Sequence, residues 1–409
     1  MVDAFDDGVR GVVWDVVVIG AGPAGSSAAR VAAEGGASVL LIDRARFPRY
    51  KTCGGGLIGI SLGHVPPPVL ETVEQRVRSV RFSLRGGRAR THRTAEPFLS
   101  LVQRETFDAA LVAAAISAGV TFIDGVVVRS LSEPDRADEP ADHAVTGDVA
   151  AVAVQTDRGP VRARVVVGAD GTSGRCGRYV GVQNRGTDLA LEVEVTRTAS
   201  SAQFDASTFD GSVRFDWGSN PGSYAWVFPK REVLTVGVIQ AKGHPQQTRD
   251  YLDSWLRQAG LENREIERST GHLTQWRSED SPLRRGSVIV AGDAAGLLDP
   301  WTREGISFAL RSGCWAGQAA ALAVSGLAGT PGDSLRDYER RVVAELDPDI
   351  RAGERLLHFF ERHPGLVHLS LASTGAGLRL FLGVCDGTKT LAGILSSRLL
   401  RRLLRVFGS

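Results

Sequence analysis

Six residues near the start of the chain, Gly20-Ala21-Gly22-Pro23-Ala24-Gly25, fit the pattern G-x-G-x-x-G. That spacing suits a phosphate cradle. Gly20 permits a tight turn, Gly22 lets backbone approach a pyrophosphate, and Gly25 lets a helix lie close to a strand. Asp43 follows Gly25 by 18 residues, the distance at which a carboxylate meets a ribose hydroxyl pair. A second group carries a thiol: Cys53 precedes Gly54, Gly55 and Gly56, where backbone without side chains can pass against a flat ring. A third group is aromatic. Tyr224, Trp226 and Phe228 alternate with Ala225 and Val227, so as strand residues they point to one face.

The elements that must hold these groups are legible around them. Residues 14–20 are a β-branched apolar run suited to a buried parallel strand, 26–34 an Ala-rich helix closed by Gly35-Gly36, and 38–42 a second strand. This strand–turn–helix–strand–acid context raises the glycine pattern above chance and predicts a Rossmann-type dinucleotide site with the phosphates at the helix N-terminus. Gly54-Gly55-Gly56-Leu57-Ile58-Gly59 also fits the pattern, but Phe47-Pro48-Arg49-Tyr50-Lys51 before it is no buried strand. One dinucleotide unit is therefore expected. Two further strand-to-turn segments, 165–171 ending in Asp170 and 288–296 containing Gly292 and Asp293, point to FAD. Asp293 can bind a ribityl polyol there, and the N–H groups at Gly305 and Ile306, opening a helix over 304–324, can face the flavin.

These residues resemble the FAD-dependent group that contains aromatic hydroxylases, halogenases and geranylgeranyl reductases. That resemblance implies a p-hydroxybenzoate-hydroxylase-like fold. It carries Arg104, in Gln103-Arg104-Glu105, to the FAD, with a solvated helix-start cation as the alternative. Three segments are similar to geranylgeranyl reductases in particular: Lys51-Thr52-Cys53-Gly54-Gly55-Gly56, Tyr224-Ala225-Trp226-Val227-Phe228-Pro229, and Leu298-Asp299-Pro300-Trp301-Thr302-Arg303-Glu304-Gly305. Gly237 falls where that family has the first glycine of a G-x-G, but Ile239 replaces the second. The resemblance implies FAD contacts at Gly20, Gly22, Ala24, Gly25, Asp43, Arg44, Cys53, Gly54, Arg104, Asp170, Gly292, Asp293, Gly305 and Ile306. Substrate contacts are expected at Gly55, Tyr224, Trp226, Phe228 and Pro300. Cys53, Tyr224 and Trp226 are the catalytic candidates, the proton coming from Cys53, Tyr224 or a water. For Cys53 the alternative is simple packing, and for the aromatic stripe a sheet core facing its own helix.

The expected activity is saturation of carbon–carbon double bonds in an isoprenoid chain by hydride from reduced FAD. A monooxygenase or halogenase acting on an aromatic or polyketide would share the FAD residues, and a non-catalytic lipid-binding flavoprotein is the alternative of another class. With one Rossmann unit, the electron donor is NAD(P)H visiting transiently, or a ferredoxin or reductase partner.

Composition bounds the rest. The 409 residues are 43% hydrophobic and 23% charged, as in soluble globular chains of several domains. A net charge of +2 argues against a nucleic-acid partner. Four scattered cysteines and no C-x-x-C pair imply neither zinc nor a disulfide framework, and no metal is expected. With no signal segment and no transmembrane run, a cytoplasmic protein is expected. Residues 391–407 form a basic amphipathic stretch that could lie on the inner face of a membrane or pack on its own domain. The fold class is thus α/β: a Rossmann-type FAD-binding domain (1–75, 102–172, 276–330) interleaved with an antiparallel-sheet substrate domain (76–101, 173–275), then a helical region (331–409).

Overall fold

The computed structural model describes Val9 and residues 11–133, 151–197, 209–218, 220–326 and 331–397. The acidic stretch after Glu133 and the basic tail beyond residue 397 lie outside the described residues.

The strand Val13–Ile19 sits at the centre of an eight-stranded sheet, with Val39–Ile42 and Thr121–Ile123 on one side and Gly159–Gly168 and Val288–Val290 on the other, all parallel. Its Val16, Val17 and Val18 have no exposed surface, which is why the run is apolar on both faces. The helix Pro23–Glu34 covers one face and begins three residues earlier than the alanine run suggests. Pro23 needs no N–H at the first helical position and its fixed φ suits that place, so Gly22 becomes the cap. The helix Ile306–Val324 packs on it through bare backbone. A Cβ on Gly313 would lie 2.2 Å from the Ala24 carbonyl oxygen, and one on Gly317 would lie 2.3 Å from that of Ala28.

The second sheet has seven strands in the order Ile266–Arg277, Asn184–Thr196, Val233–Ala241, Tyr224–Pro229, Ser212–Trp217, Ser79–Leu84 and Arg90–Arg93. One face packs Val193, Val195, Ala225, Val227 and Val236 against Leu252, Trp255 and Leu256 of the helix Pro245–Ala259. The other carries Ala190, Tyr224, Trp226, Phe228, Phe215 and Ile239. A small third sheet joins Gly56–Ile58, Leu99–Val102 and Val73–Val77, and so crosses the boundaries expected at residues 75 and 102.

After the sheets the chain is helical. Pro331–Glu345 and Asp347–Arg362 meet at Leu346, with Pro348 in the first turn of the second helix. Among the described residues no single helix is long and apolar enough to cross a membrane; Pro364–Ser373 and Gly375–Cys385, bent by 90°, meet that test only as a pair.

Candidate active site

Two chambers meet between the sheets. The larger, about 500 Å³, runs from the glycine turn past Asp43 to Asp293 and the start of the Ile306–Val324 helix. The smaller, about 240 Å³, is walled by Phe215, Trp217, Tyr224, Trp226, Phe228 and Phe381. Thr52, Cys53, His272, Thr274, Gly305 and Ile306 belong to both walls, so the chambers join there.

In the larger chamber, Asp43 ties the phosphate turn to the strand before it. Its Oδ2 accepts from the Ala21 N–H at 2.7 Å and its Oδ1 from the Ala45 N–H at 2.8 Å. Gly20, Gly22, Ala24, Arg44, Cys53, Arg104, Asp170, Asp293, Gly305 and Ile306 line the same space. Arg104 is not a solvated cation. It is buried at the head of the helix Arg104–Ser117 and grips Asp108 with two hydrogen bonds of 2.8 Å. Arg49, to which no role is assigned from sequence, pairs with Asp108 at 3.0 Å beside Gly22 and keeps a buried Nη1 without a hydrogen-bond partner among the described residues. Oδ1 of Asp170 is likewise buried and unpartnered. An orphaned cationic N–H beside the glycine turn and bare backbone at Gly22 fit a pyrophosphate; a carboxylate at Asp293, its pKa raised by burial against the pull of Lys51 and Arg104, fits a polyol. The residues present therefore suit FAD.

Four expected contacts lie elsewhere. Gly25 and Gly292 wall neither chamber. Gly25 touches the Gly20 carbonyl, and Gly292, at φ +57°, sits under Ala24 and Ala309, so both serve helix packing. Pro300 is buried behind its loop against Gly353, and Trp301, Thr302 and Arg303 face the chamber in its place. Gly54 lies in the aromatic chamber, where a Cβ would come within 2.9 Å of the Phe228 ring.

In the smaller chamber the aromatic stripe faces away from the Pro245–Ala259 helix, so it is not that helix's core. Gly237 is opposite Trp226, where a Cβ would collide with the indole at 2.1 Å. Ile239, opposite Tyr224, fills chamber space that glycine would leave open. The Tyr224 hydroxyl donates to the Thr302 carbonyl at 2.6 Å. Its proton points at the loop, which it braces. The Cys53 Sγ accepts from the Gly55 N–H at 3.4 Å.

Lys51, His272, Glu192 and Glu304, to none of which the sequence patterns assign a role, line the chambers around the junction, and Asp299 lies behind them. Lys51 Nζ is 2.9 Å from His272 Nε2; burial and the neighbouring cations Lys51 and Arg104 push His272 down to about 3, so it is neutral and accepts. Glu192 is 1% exposed, and burial pushes its carboxyl up to about 7 despite Lys230. Glu304, which caps Ser307, is raised to about 7, and Asp299, which accepts from Trp301 and Thr302, to about 6, both by burial. These three carboxyls hold protons in the folded chain at pH values where the unfolded chain has lost them. Their contribution is complete below the unfolded values near 4.5 and 3.8 and is lost as pH rises through about 6 to 7. The melting temperature of the FAD-free protein should therefore fall between about pH 5 and about pH 8, and Glu304→Gln should flatten that slope. A flat or rising profile would refute the assignment.

A parallel-sheet dinucleotide fold, a glycine turn and a second, aromatic-lined chamber at its far end define an FAD-dependent oxidoreductase. The FAD dependent oxidoreductase family pattern matches residues 15–266. Digeranylgeranylglycerophospholipid reductase 1 of Methanopyrus kandleri is 31% identical over 76% of this chain and 81% of its own length. The geranylgeranyl diphosphate reductase of Synechocystis is 28% identical over 74% of each chain. A geranylgeranyl bacteriochlorophyll reductase-like structure from Thermoplasma acidophilum superposes with a TM-score of 0.75 at 22% identity, over 97% of this chain and 99% of that one. The flavin-dependent brominase Bmp2 shares the fold at 0.73 and 20% identity, with the same coverage. The chain belongs to the geranylgeranyl reductase family of FAD-dependent oxidoreductases.

Proposed function

We propose that this protein saturates carbon–carbon double bonds of an isoprenoid chain lying in the aromatic chamber. The observation that carries this reading is the union of an apolar, aromatic-walled space with the FAD chamber at Cys53, Gly305 and Ile306. FAD, bound in reduced form, would supply the hydride for one alkene carbon. The protein does the rest. Trp226, Phe228 and Phe215 hold the polyene, Gly54 and Gly55 let it approach the junction, and the loop around Arg303 closes the chamber to water. The names of the relatives agree with an isoprenoid substrate.

The test is mass spectrometry of products formed by dithionite-reduced holoenzyme from prenyl diphosphates, prenyl quinones and free polyenes. The reading requires gain of one H2 per reduced bond. Gain of one oxygen atom, with oxygen consumption, would replace it by a monooxygenase.

Trp226→Ala measures the wall. The indole is 6% exposed and turned into the chamber. Its loss should weaken substrate saturation by about 2–4 kcal/mol while FAD affinity holds. A large fall in melting temperature with normal substrate saturation would return the stripe to the core.

A further inference from the structure

Glu192 occupies the chamber face of the strand Asn184–Thr196, flanked by Ala190, while Val193 and Val195 point to the opposite core. It is in register with Gly237 on one side, hence under the Trp226 indole, and with Thr270 on the other. Its two oxygens differ. Oε1 accepts from the Cys53 N–H at 3.1 Å and from the Tyr50 hydroxyl at 3.2 Å. Oε2 is buried and has no hydrogen-bond partner among the described residues. An oxygen that already accepts twice is the carbonyl oxygen of a carboxylic acid, and the unpartnered one is its O–H. Such an O–H has no fixed acceptor among the described residues, and Glu192 lines the apolar chamber that opens at the FAD site.

We propose that Glu192 is the acid that protonates the alkene carbon not receiving the hydride, and that Tyr50 returns a proton to it from solvent. This rests on the alkene-reductase reading above. The step balances. The π bond breaks, one C–H bond forms from the hydride and one from the Glu192 proton, the alkene gains two electrons and FAD loses two. Glu192, left as a carboxylate, takes the Tyr50 hydroxyl proton as Tyr50 takes one from water. Tyr50 is half-buried, under the Arg268 guanidinium at 4.7 Å, and so reaches from Glu192 toward the surface.

The surroundings keep Glu192 protonated. Burial raises its carboxyl to about 7, and Glu194 on the same strand adds to that. Lys230 opposes it, but Lys230 is itself buried, its pKa lowered by desolvation, with Nζ 3.3 Å from Gln103 Oε1. Across the junction His272 is neutral and engaged with Lys51. Glu192 is thus positioned as an acid up to about pH 7, and its Oε2 is bonded to no other side chain among the described residues.

Glu192→Gln is the decisive variant, because the amide oxygen still accepts from Cys53 and Tyr50 while the acid is gone. With reduced holoenzyme and a prenyl substrate, its single-turnover alkene reduction should be about 10²–10⁴-fold slower than wild type, with FAD retained. The wild-type rate should fall as pH rises through about 7, and the variant's residual rate should not. Tyr50→Phe should slow steady-state turnover more than the first turnover. Cys53→Ser should fall by less than Glu192→Gln and keep the wild-type pH profile. Infrared difference spectra of the resting, oxidised protein, wild type minus Glu192→Gln, give a readout without turnover: one protonated-carboxyl C=O band that disappears as pH rises through about 7, the bands of Glu304 and Asp299 being common to both proteins and cancelling. If wild type adds H2 and Glu192→Gln does so at the same rate and pH dependence, Glu192 is not the acid. If wild type adds no H2, the alkene-reductase reading falls and this role with it.

Discussion

Gly25→Ala leaves the protein without FAD. A Cβ at this position would lie 1.7 Å from the Gly20 carbonyl oxygen and 3.2 Å from the Ala169 Cβ. The neighbour is backbone in the glycine turn itself, at φ +99°, and cannot swing aside as a side chain does. The helix Pro23–Glu34 must lift from the strand Val13–Ile19, and its N-terminus then leaves the phosphate position. Overpacking a yielding core costs about 1–3 kcal/mol, and a rigid turn puts this change at the upper end or beyond. The measurement is the ratio of flavin to protein absorbance after purification, together with the melting temperature. Gly365→Ala is the control, because a Cβ there meets nothing within 4 Å. Full FAD content and an unshifted melting temperature in Gly25→Ala would show that the turn is looser than these contacts require.

Arg303→Met should cost about 3–5 kcal/mol of folding stability, the effect of stranding a buried charge. Arg303 and Asp188 have side chains 4% and 3% exposed and pair at 2.8 Å. The same guanidinium donates to the Trp301 and Gly222 carbonyls and lies 5.5 Å from the Tyr224 ring centroid. It therefore fastens the loop over both chambers to two strands of the seven-stranded sheet, which is antiparallel apart from the parallel pair Ser212–Trp217 and Ser79–Leu84. Methionine keeps the apolar stem and removes every one of these bonds. The second change Asp188→Asn, made in the Arg303→Met background, should restore part of the loss by removing the uncompensated carboxylate. Urea unfolding of the single and double variants decides it. A single-variant loss under about 1 kcal/mol would make the pair no more than a surface-like contact.

What could be read in the chain followed from how local each signal is. The glycine turn, the strand before it and the acid after it lie within one βαβ stretch, so periodicity and turn chemistry suffice there. The alternation of Tyr224, Trp226 and Phe228 placed them on one face, but which face covers a helix and which lines a chamber depends on partners far along the chain. Glu192 shows why the remainder was hidden. In Leu191-Glu192-Val193-Glu194-Val195 the alternation reads as one apolar and one solvated face. The polar face is instead covered at Glu192 by the segment around Tyr50 and Cys53, more than a hundred residues earlier in the chain. Pro300 misled in the opposite sense. It lies inside a loop that resembles a flavin-proximal one, yet one position along that loop separates a residue packed on Gly353 from residues facing the chamber.

The order of strands in the parallel sheet also bears on how the protein is made. Val13–Ile19 is translated well before its second neighbour, Gly159–Gly168, and the strand beyond it, Val288–Val290. Until then one edge of an apolar strand stands open, and a growing chain with such an edge is a target for aggregation and for chaperones. The turn carrying Asp293 follows the last of these strands. A partly translated chain can thus hold the phosphate turn without the opposite wall of the chamber, and cofactor capture waits until the segment carrying Asp293 has been made. Flavin binding then adds its free energy to the finished fold and none to the partial one, so the nascent chain passes its most exposed stage without the help of the ligand it is built to hold.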